Sequence, residues 1–201
     1  NSGADLVAHS VRDLPIDDEF IDLINAKGVC YIPTLTREVS TFIYESEPEF
    51  FSDPYFLKEA EPAILEQLKS PERQTRMQNS RAAAGYKIAL EVAMANVKAL
   101  NDGRVRIAMG TDTGPPARFQ GYFEHMEMQM MVDAGMSPIE AIRASTGIAA
   151  DCMGMGNIGT LEPGKWGDLL VLDANPAEDI ANSKTISSVW IAGNRVPDPG
   201  R

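Results

Sequence analysis

Histidine is almost missing from this chain: His9 and His125 are the only two in 201 residues. That scarcity excludes a metal centre of the many-imidazole kind built from this polypeptide alone. Cysteine is as scarce, with Cys30 and Cys152 far apart and in no zinc-ligand spacing. Each reads as a small buried hydrophobe, Cys30 in the apolar run Val29-Cys30-Tyr31-Ile32 and Cys152 in a helical Ala/Met stretch. On that reading both are free thiols and the redox compartment is open. Positive charge is short as well: 18 Lys and Arg against 29 Asp and Glu give a net charge of −11. Such a surface repels phosphate backbones and anionic lipid, so no nucleic-acid or membrane-surface partner is expected. No apolar run approaches the roughly 20 residues needed to span a bilayer, and no signal peptide is visible. An initiating Met is also lacking, and the start Asn1-Ser2-Gly3-Ala4 reads as internal to a longer chain. The compartment stays undetermined, with the cytoplasm as default and export if a longer protein carries a signal.

What is present is globular: 44% apolar and 23% charged residues, with enough length for a buried core. A short strand at residues 5–8 ends at His9-Ser10. Asp17 is a fitting N-cap for a helix with Phe20, Ile21, Leu23 and Ile24 as its stripe, and Gly28 ends it. Residues 29–32 form the next strand, stopped by Pro33. Strand, helix, strand with short joins is a βα unit feeding a parallel strand. Residues 34–80 break the pattern with clustered Glu, Phe and Pro; short helices in a mobile insertion are expected, either a lid or a surface excursion. A helix over 81–100 should set Ile88, Val92, Ala95 and Leu100 on one side. A strand at 105–109 follows, then the turn Gly110-Thr111-Asp112-Thr113-Gly114. Further helices are expected from Tyr122 to Ala134, from the capping box Ser137-Pro138-Ile139-Glu140, and from Ile148 to Met153. Beyond Gly154 the texture turns to β, with strands at 168–173 and 186–191, a turn at Gly193-Asn194 and a frayed tail from 197.

His9 and Asp112 stand out because each lies just past the C-terminal end of a strand expected to be parallel. That end is where a βα barrel gathers its active-site side chains. Imidazole and carboxylate also suit a divalent metal such as zinc. Arg118, in the loop after Asp112, is either a cation for a substrate carboxylate or a solvated loop residue. His125, near the start of a helix, is either a substrate contact or a locally bonded helix-face residue. The methionines Met126, Met128, Met130, Met131 and Met136 read as helix packing.

Five stretches, in order, carry a resemblance. They are Gly3-Ala4-Asp5-Leu6-Val7-Ala8-His9-Ser10; Ile16 to Thr34, leading into Leu35; Ile107-Ala108-Met109-Gly110-Thr111-Asp112; the helical run from Met131 to Ile142 followed by Ser145-Thr146; and the run from Gly159 to Asp173. The chain resembles the amidohydrolase superfamily, in particular its imidazolonepropionase-like and prolidase-like members. The resemblance implies an α/β fold: the C-terminal part of a (β/α)8 TIM barrel, equivalent to strands 6–8, plus the C-terminal strands of a small composite β-sandwich. Residues 1–153 would be the partial barrel, with the insertion at 34–80, and residues 154–201 the strands of the small β domain.

It further implies a metal-dependent hydrolase of C–N bonds in amides, cyclic amides or dipeptides, acting on a small molecule. His9 and Asp112 would be metal ligands, and Asp112 would also be the catalytic proton carrier. The family's two-His motif on the first strand, its Lys or Glu on the fourth and its His on the fifth are absent from this chain. The divalent metal, zinc by resemblance, would therefore meet an incomplete site here, and the piece is expected to be inactive alone. Two other readings stay open: a non-catalytic scaffold or assembly module, and a metal-dependent esterase or lactonase. Open strand edges lead to the expectation of a homo-oligomer or of association with a missing N-terminal part.

Overall fold

The computed structural model describes residues 3–115 and 117–197; the expected fraying beyond residue 197 lies outside them. Two short strands, β1 (Leu6–Ala8) and β2 (Cys30–Ile32), run parallel with Leu6 opposite Cys30 and Ala8 opposite Ile32. On the other side of β2, Tyr31 forms a parallel bridge to Ile107. Its amide donates to the Arg106 carbonyl and its carbonyl accepts from the Ala108 amide, both at 2.9 Å. The order in space is therefore β1, β2, then the segment around Ile107. Among the described residues the three lie side by side and do not close into a barrel. Gly110 makes the last of these approaches workable, since a Cβ there would stand 2.7 Å from Cγ2 of Ile32.

Helix α1 (Asp18–Ala26) crosses between β1 and β2. Asp17 caps it by accepting from the Phe20 amide, and Gly28, at φ 63°, turns the chain toward β2. After β2 come α2 (Leu35–Val39), α3 (Pro54–Leu57), α4 (Pro62–Lys69) and α5 (Pro71–Gln78), with single 3-10 turns at Ile43–Glu45 and Glu49–Ser52. The expected mobile insertion is in fact a packed helical unit. Tyr44, Phe50, Phe51, Phe56, Leu65 and Leu68 bury together against Phe123, and the Phe50 and Phe56 rings meet edge to face at 4.9 Å. Fully burying each such side chain is worth about 1.5–3 kcal/mol, ample to order the segment.

The long α6 (Arg81–Asp102) packs on α2 and joins the main core, and of the stripe expected from its apolar residues only Leu100 is buried. Ala93, Asn96, Val97 and Leu100 are buried, whereas Ile88 is exposed. The difference is Asn96. Its amide nitrogen donates to the Val11 and Leu14 carbonyls at 2.8 and 2.9 Å, and its oxygen accepts from the Ile16 amide at 3.0 Å. A polar residue that satisfies three backbone groups belongs in the core, and it rotates the helix accordingly.

Helices α7 (Tyr122–Asp133), α8 (Pro138–Ser145) and α9 (Gly147–Cys152) complete the main body. Met128, Met131 and Met136 fill the core, as packing methionines should. Cys30 and Cys152 are joined in a disulfide that ties β2 to α9, so the expectation of two free thiols is corrected. Cys30 is buried as expected and Cys152 half-buried; their mutual approach, across 122 positions, was not legible in the sequence.

A separate antiparallel sheet is made of β3 (Leu169–Leu172), β4 (Ile186–Ile191) and β5 (Asn194–Arg195). It pairs Leu170 with Val189 and Trp190 with Arg195. A 3-10 turn at Ile180–Lys184 precedes β4 and sends Ile180 into the main core. No helix among the described residues is long and apolar enough to cross a membrane.

Candidate active site

The three parallel segments share one feature at their C-terminal ends. His9 follows β1, Thr34 follows Pro33 after β2, and Asp112 follows Thr111 after the segment around Ile107. All three take left-handed backbone angles, with φ of 73°, 51° and 55°. For residues with a Cβ this conformation is uncommon, costs about 1–3 kcal/mol each, and clusters at functional sites. Here it turns three chain ends at one rim. His9 and Thr34 are joined directly, Nδ1 to Oγ1 at 3.0 Å. Nε2 of His9 has no partner among the described residues, and the side chain is exposed.

Because the Thr34 hydroxyl is engaged with His9, it does not cap α2, whose first amides need another acceptor. Glu127 of α7 supplies it. Its carboxylate, fully buried, accepts from the Leu35 amide, the Thr36 amide and the Thr36 hydroxyl, each at 2.7 Å. Burial pushes its pKa up to about 7, against the pull of those three hydrogen bonds and with the Glu38 charge adding to the rise. One turn earlier on α7, Glu124 holds the Asp112 turn. Its Oε1 accepts from the hydroxyls of Thr111 and Thr113 at 3.0 and 2.9 Å, and its Oε2 accepts from the Gly121 amide at 2.6 Å.

Asp112 is exposed and meets two arginines. Arg118 donates to its Oδ2 at 2.6 Å and to its backbone carbonyl at 3.1 Å, while Nε of Arg37 stands 3.8 Å from Oδ2. Arg118 is thus committed to Asp112, and through Nε to the Ser40 hydroxyl at 3.1 Å. It is therefore not a solvated loop cation. Behind this pair, Glu38 is fully buried and receives Arg12 at 2.8 Å and Arg37 at 3.1 Å. Both guanidinium groups lie over the ring of Tyr86, at 5.2 and 5.7 Å from its centroid. Burial pulls the Arg37 pKa down, but the hydrogen bond to Tyr86 and the Glu38 charge outweigh it and leave it raised.

His125 stands apart from this rim. Its Nε2 bonds the Tyr55 hydroxyl and its Nδ1 the Ser183 hydroxyl, both at 2.8 Å. Burial lowers its pKa, and the nearby Lys184 charge adds to the fall. It links the insertion to the turn before β4, with both ring nitrogens occupied.

The donor set does not fit a metal by itself. His9 offers one free nitrogen, and the Asp112 carboxylate is ion-paired to Arg118. Among the described residues no group of three or more His, Cys, Asp and Glu is placed to hold an ion.

His9 and Asp112, expected at one end of the parallel strands, lie there. Sequence reasoning missed Thr34, Arg12, Arg37, Glu38, Tyr86, Glu124 and Glu127. One signal was available: a Glu at 127 between Met126 and Met128 is a charge inside an apolar run, which asks for a buried partner.

Comparison with known proteins agrees with this layout. A model of the amidohydrolase family matches residues 15–196. The ochratoxinase of Aspergillus niger is 37% identical over 102 residues, covering 48% of this chain and 20% of the relative. The imidazolonepropionase of Streptomyces avermitilis is 32% identical over 104 residues, covering 50% of this chain and 25% of the relative. The crystal structure of a putative prolidase from Bifidobacterium longum superposes with a TM-score of 0.68 at 26% identity, covering 98% of this chain and 42% of that one. The matches thus span about a fifth to a quarter of the curated relatives and under half of the solved chain. With a family model covering most of its length and a fold shared with solved members, the chain belongs to the amidohydrolase family.

Proposed function

We propose that this chain forms the part of a C–N hydrolase that moves the proton, and that its three parallel segments are barrel strands, equivalent to the sixth, seventh and eighth. The observation that carries the reading is the convergence of His9, Thr34 and Asp112, each in a left-handed conformation, at one end of parallel strands. In this reading Asp112 is the catalytic residue. Its carboxylate takes a proton from the attacking water and delivers it to the leaving nitrogen, the step that turns an amine anion into a neutral leaving group. Arg118 and Arg37 hold the carboxylate in place. His9, fixed through Nδ1 by Thr34, presents Nε2 toward the polarised carbonyl. Among the described residues no group of three or more His, Cys, Asp and Glu is placed to hold a metal, and every role above is given to residues of this chain.

The substrate is a small molecule with an amide, cyclic amide or dipeptide bond. Members of the family with such names, the imidazolonepropionase and the putative prolidase, support that class. Association of chains is part of the same proposal: Trp166, Leu170 and Ile191 of the small β unit are exposed, and a symmetric homo-oligomer covers such a face most simply.

The test is hydrolysis of an N-acyl amino acid against its ester counterpart by the polypeptide that carries this sequence, with Asp112→Asn as control. The expected result is amide cleavage that falls at least about 100-fold in the variant. Cleavage of the ester alone would favour a lactonase or esterase. Cleavage that survives the substitution would remove Asp112 from the reaction.

A further inference from the structure

We infer that Arg12 and Arg37, laid on Tyr86 and held from below by Glu38, form a receptor for a substrate carboxylate beside Asp112. This rests on the hydrolase reading and narrows it: the favoured substrates carry a free carboxylate next to the scissile C–N bond, as N-acyl amino acids and dipeptides do.

Four observations carry the inference. The first is preorganisation. Glu38 is fully buried and grips NH1 of both arginines, while the Tyr86 ring supports both guanidinium planes. Two of the most flexible side chains are thereby fixed before a ligand arrives, which removes much of the ordering cost of binding.

The second is unspent donors. A guanidinium carries five N–H groups. Among the described residues Arg12 spends only NH1, on Glu38, and Arg37 spends NH1 on Glu38 and Tyr86 with Nε near Asp112. NH2 of both, and Nε of Arg12, make no hydrogen bond to an acceptor among the described residues. The side chains keep 29% and 22% of their exposure, enough for a ligand to reach them.

The third is charge. Arg12, Arg37 and Arg118 gather three guanidinium groups at this rim in a chain of net charge −11, facing the carboxylates of Glu38 and Asp112, with Glu124 and Glu127 behind them. A cluster of planar forks is the geometry that binds a substrate carboxylate.

The fourth is placement. Arg37 touches Glu38 at 3.1 Å and lies 3.8 Å from Asp112, so a single side chain connects the receptor to the proton carrier. Arg118 spends NH1 on Asp112 and Nε on Ser40, so it is aimed at the proton carrier and not at the Glu38–Tyr86 pair.

The experiment titrates the chain with N-acetylglycine and with its uncharged counterpart N-acetylglycinamide, by calorimetry and by following the arginine Nε–H resonances. The expected result is that the acid binds at least about 10-fold more tightly than the amide, as a charge-assisted pair should. Its binding should weaken with salt, and the resonances of Arg12 and Arg37 should shift in the unmutated protein. Arg12→Gln and Arg37→Gln should each lose at least about 10-fold in affinity for the acid. Arg12→Lys, which keeps the charge and loses the fork, should fall between. Circular dichroism of each variant separates loss of the site from loss of the fold, and the resonance shifts need no variant at all. Equal affinity for acid and amide, or shifts confined to Arg118, would overturn the receptor. The two readings fail separately: an acid that binds here but is not cleaved by the polypeptide that carries this sequence sinks the hydrolase and leaves the receptor. An amide cleaved as fast as the acid does the reverse.

Discussion

Replacing Glu127 by Gln should flatten the dependence of stability on pH between 4.5 and 7. The carboxyl ionises at its ordinary value of 4.5 when the chain is unfolded, but burial holds it protonated to about 7 in the fold. A raised folded pKa means that the stabilisation is fully present below pH 4.5 and is lost as pH rises through 7. At about 1.4 kcal/mol per pH unit, the shift corresponds to about 3 kcal/mol given up across that window. Glutamine does not titrate, so its curve lacks this slope. It also has one acceptor oxygen for three donors and points an NH2 toward the amides of α2, which costs about 1–3 kcal/mol at every pH. The wild type should therefore be the more stable form in acid, with the gap shrinking as pH rises toward neutrality. Urea unfolding of both proteins from about pH 4 to 8 measures the gap directly, since groups common to both cancel. Parallel curves would show that burial does not raise this pKa. A gap that widens with pH would mean that the three hydrogen bonds outweigh burial, and the reasoning would be wrong in sign.

Two further outcomes follow from the packing. Opening the disulfide by reductant or by Cys152→Ala frees a loop of 122 residues, worth about 5 kcal/mol of chain entropy and a fall in Tm of about 10–20 °C; unchanged melting, or two titratable thiols in the unreduced protein, would remove the bridge from the structure. Asn96→Ala strands the Val11 and Leu14 carbonyls and the Ile16 amide, and should cost about 3 kcal/mol in chemical denaturation; a loss below about 0.5 kcal/mol would show that water replaces the amide.

Local signals in the chain carried most of the architecture. Asp17, Gly28 and Pro33 punctuate the first βα unit, and Ser137 with Glu140 forms the capping box that starts α8. The shared rim of His9 and Asp112 was readable because strand ends are visible locally and a parallel sheet brings such ends together. Pairings that depend on distance were not. Glu38 meets Arg12 across 26 positions and Glu127 meets Leu35 across 92, and nothing in either neighbourhood names the partner. Apolar periodicity also misjudged α6, because it weighs Ile88 above Asn96. The core prefers the asparagine for three hydrogen bonds that no hydrophobic pattern records.

The two α7 carboxylates show how a rim of strained residues stays in place. Glu124 and Glu127 are three positions apart and so lie on one face of the helix, about 4.5 Å apart along its axis. Glu124 sits in the first turn, where the helix dipole favours a negative charge, and grips the turn that carries Asp112. Glu127, one turn deeper, grips the start of α2, from which Thr34 reaches His9 and Arg37 reaches Asp112. One rigid rod therefore fixes two loops that hydrogen bonds between the strands leave free. The left-handed angles at His9, Thr34 and Asp112 would each relax if their loops could move. What holds them is not the sheet, which ends before them, but side chains delivered from a helix far along the sequence. The strain can be maintained because α7 is itself anchored by Phe123, Met128 and Met131, all buried, so loosening the rim would require moving the core.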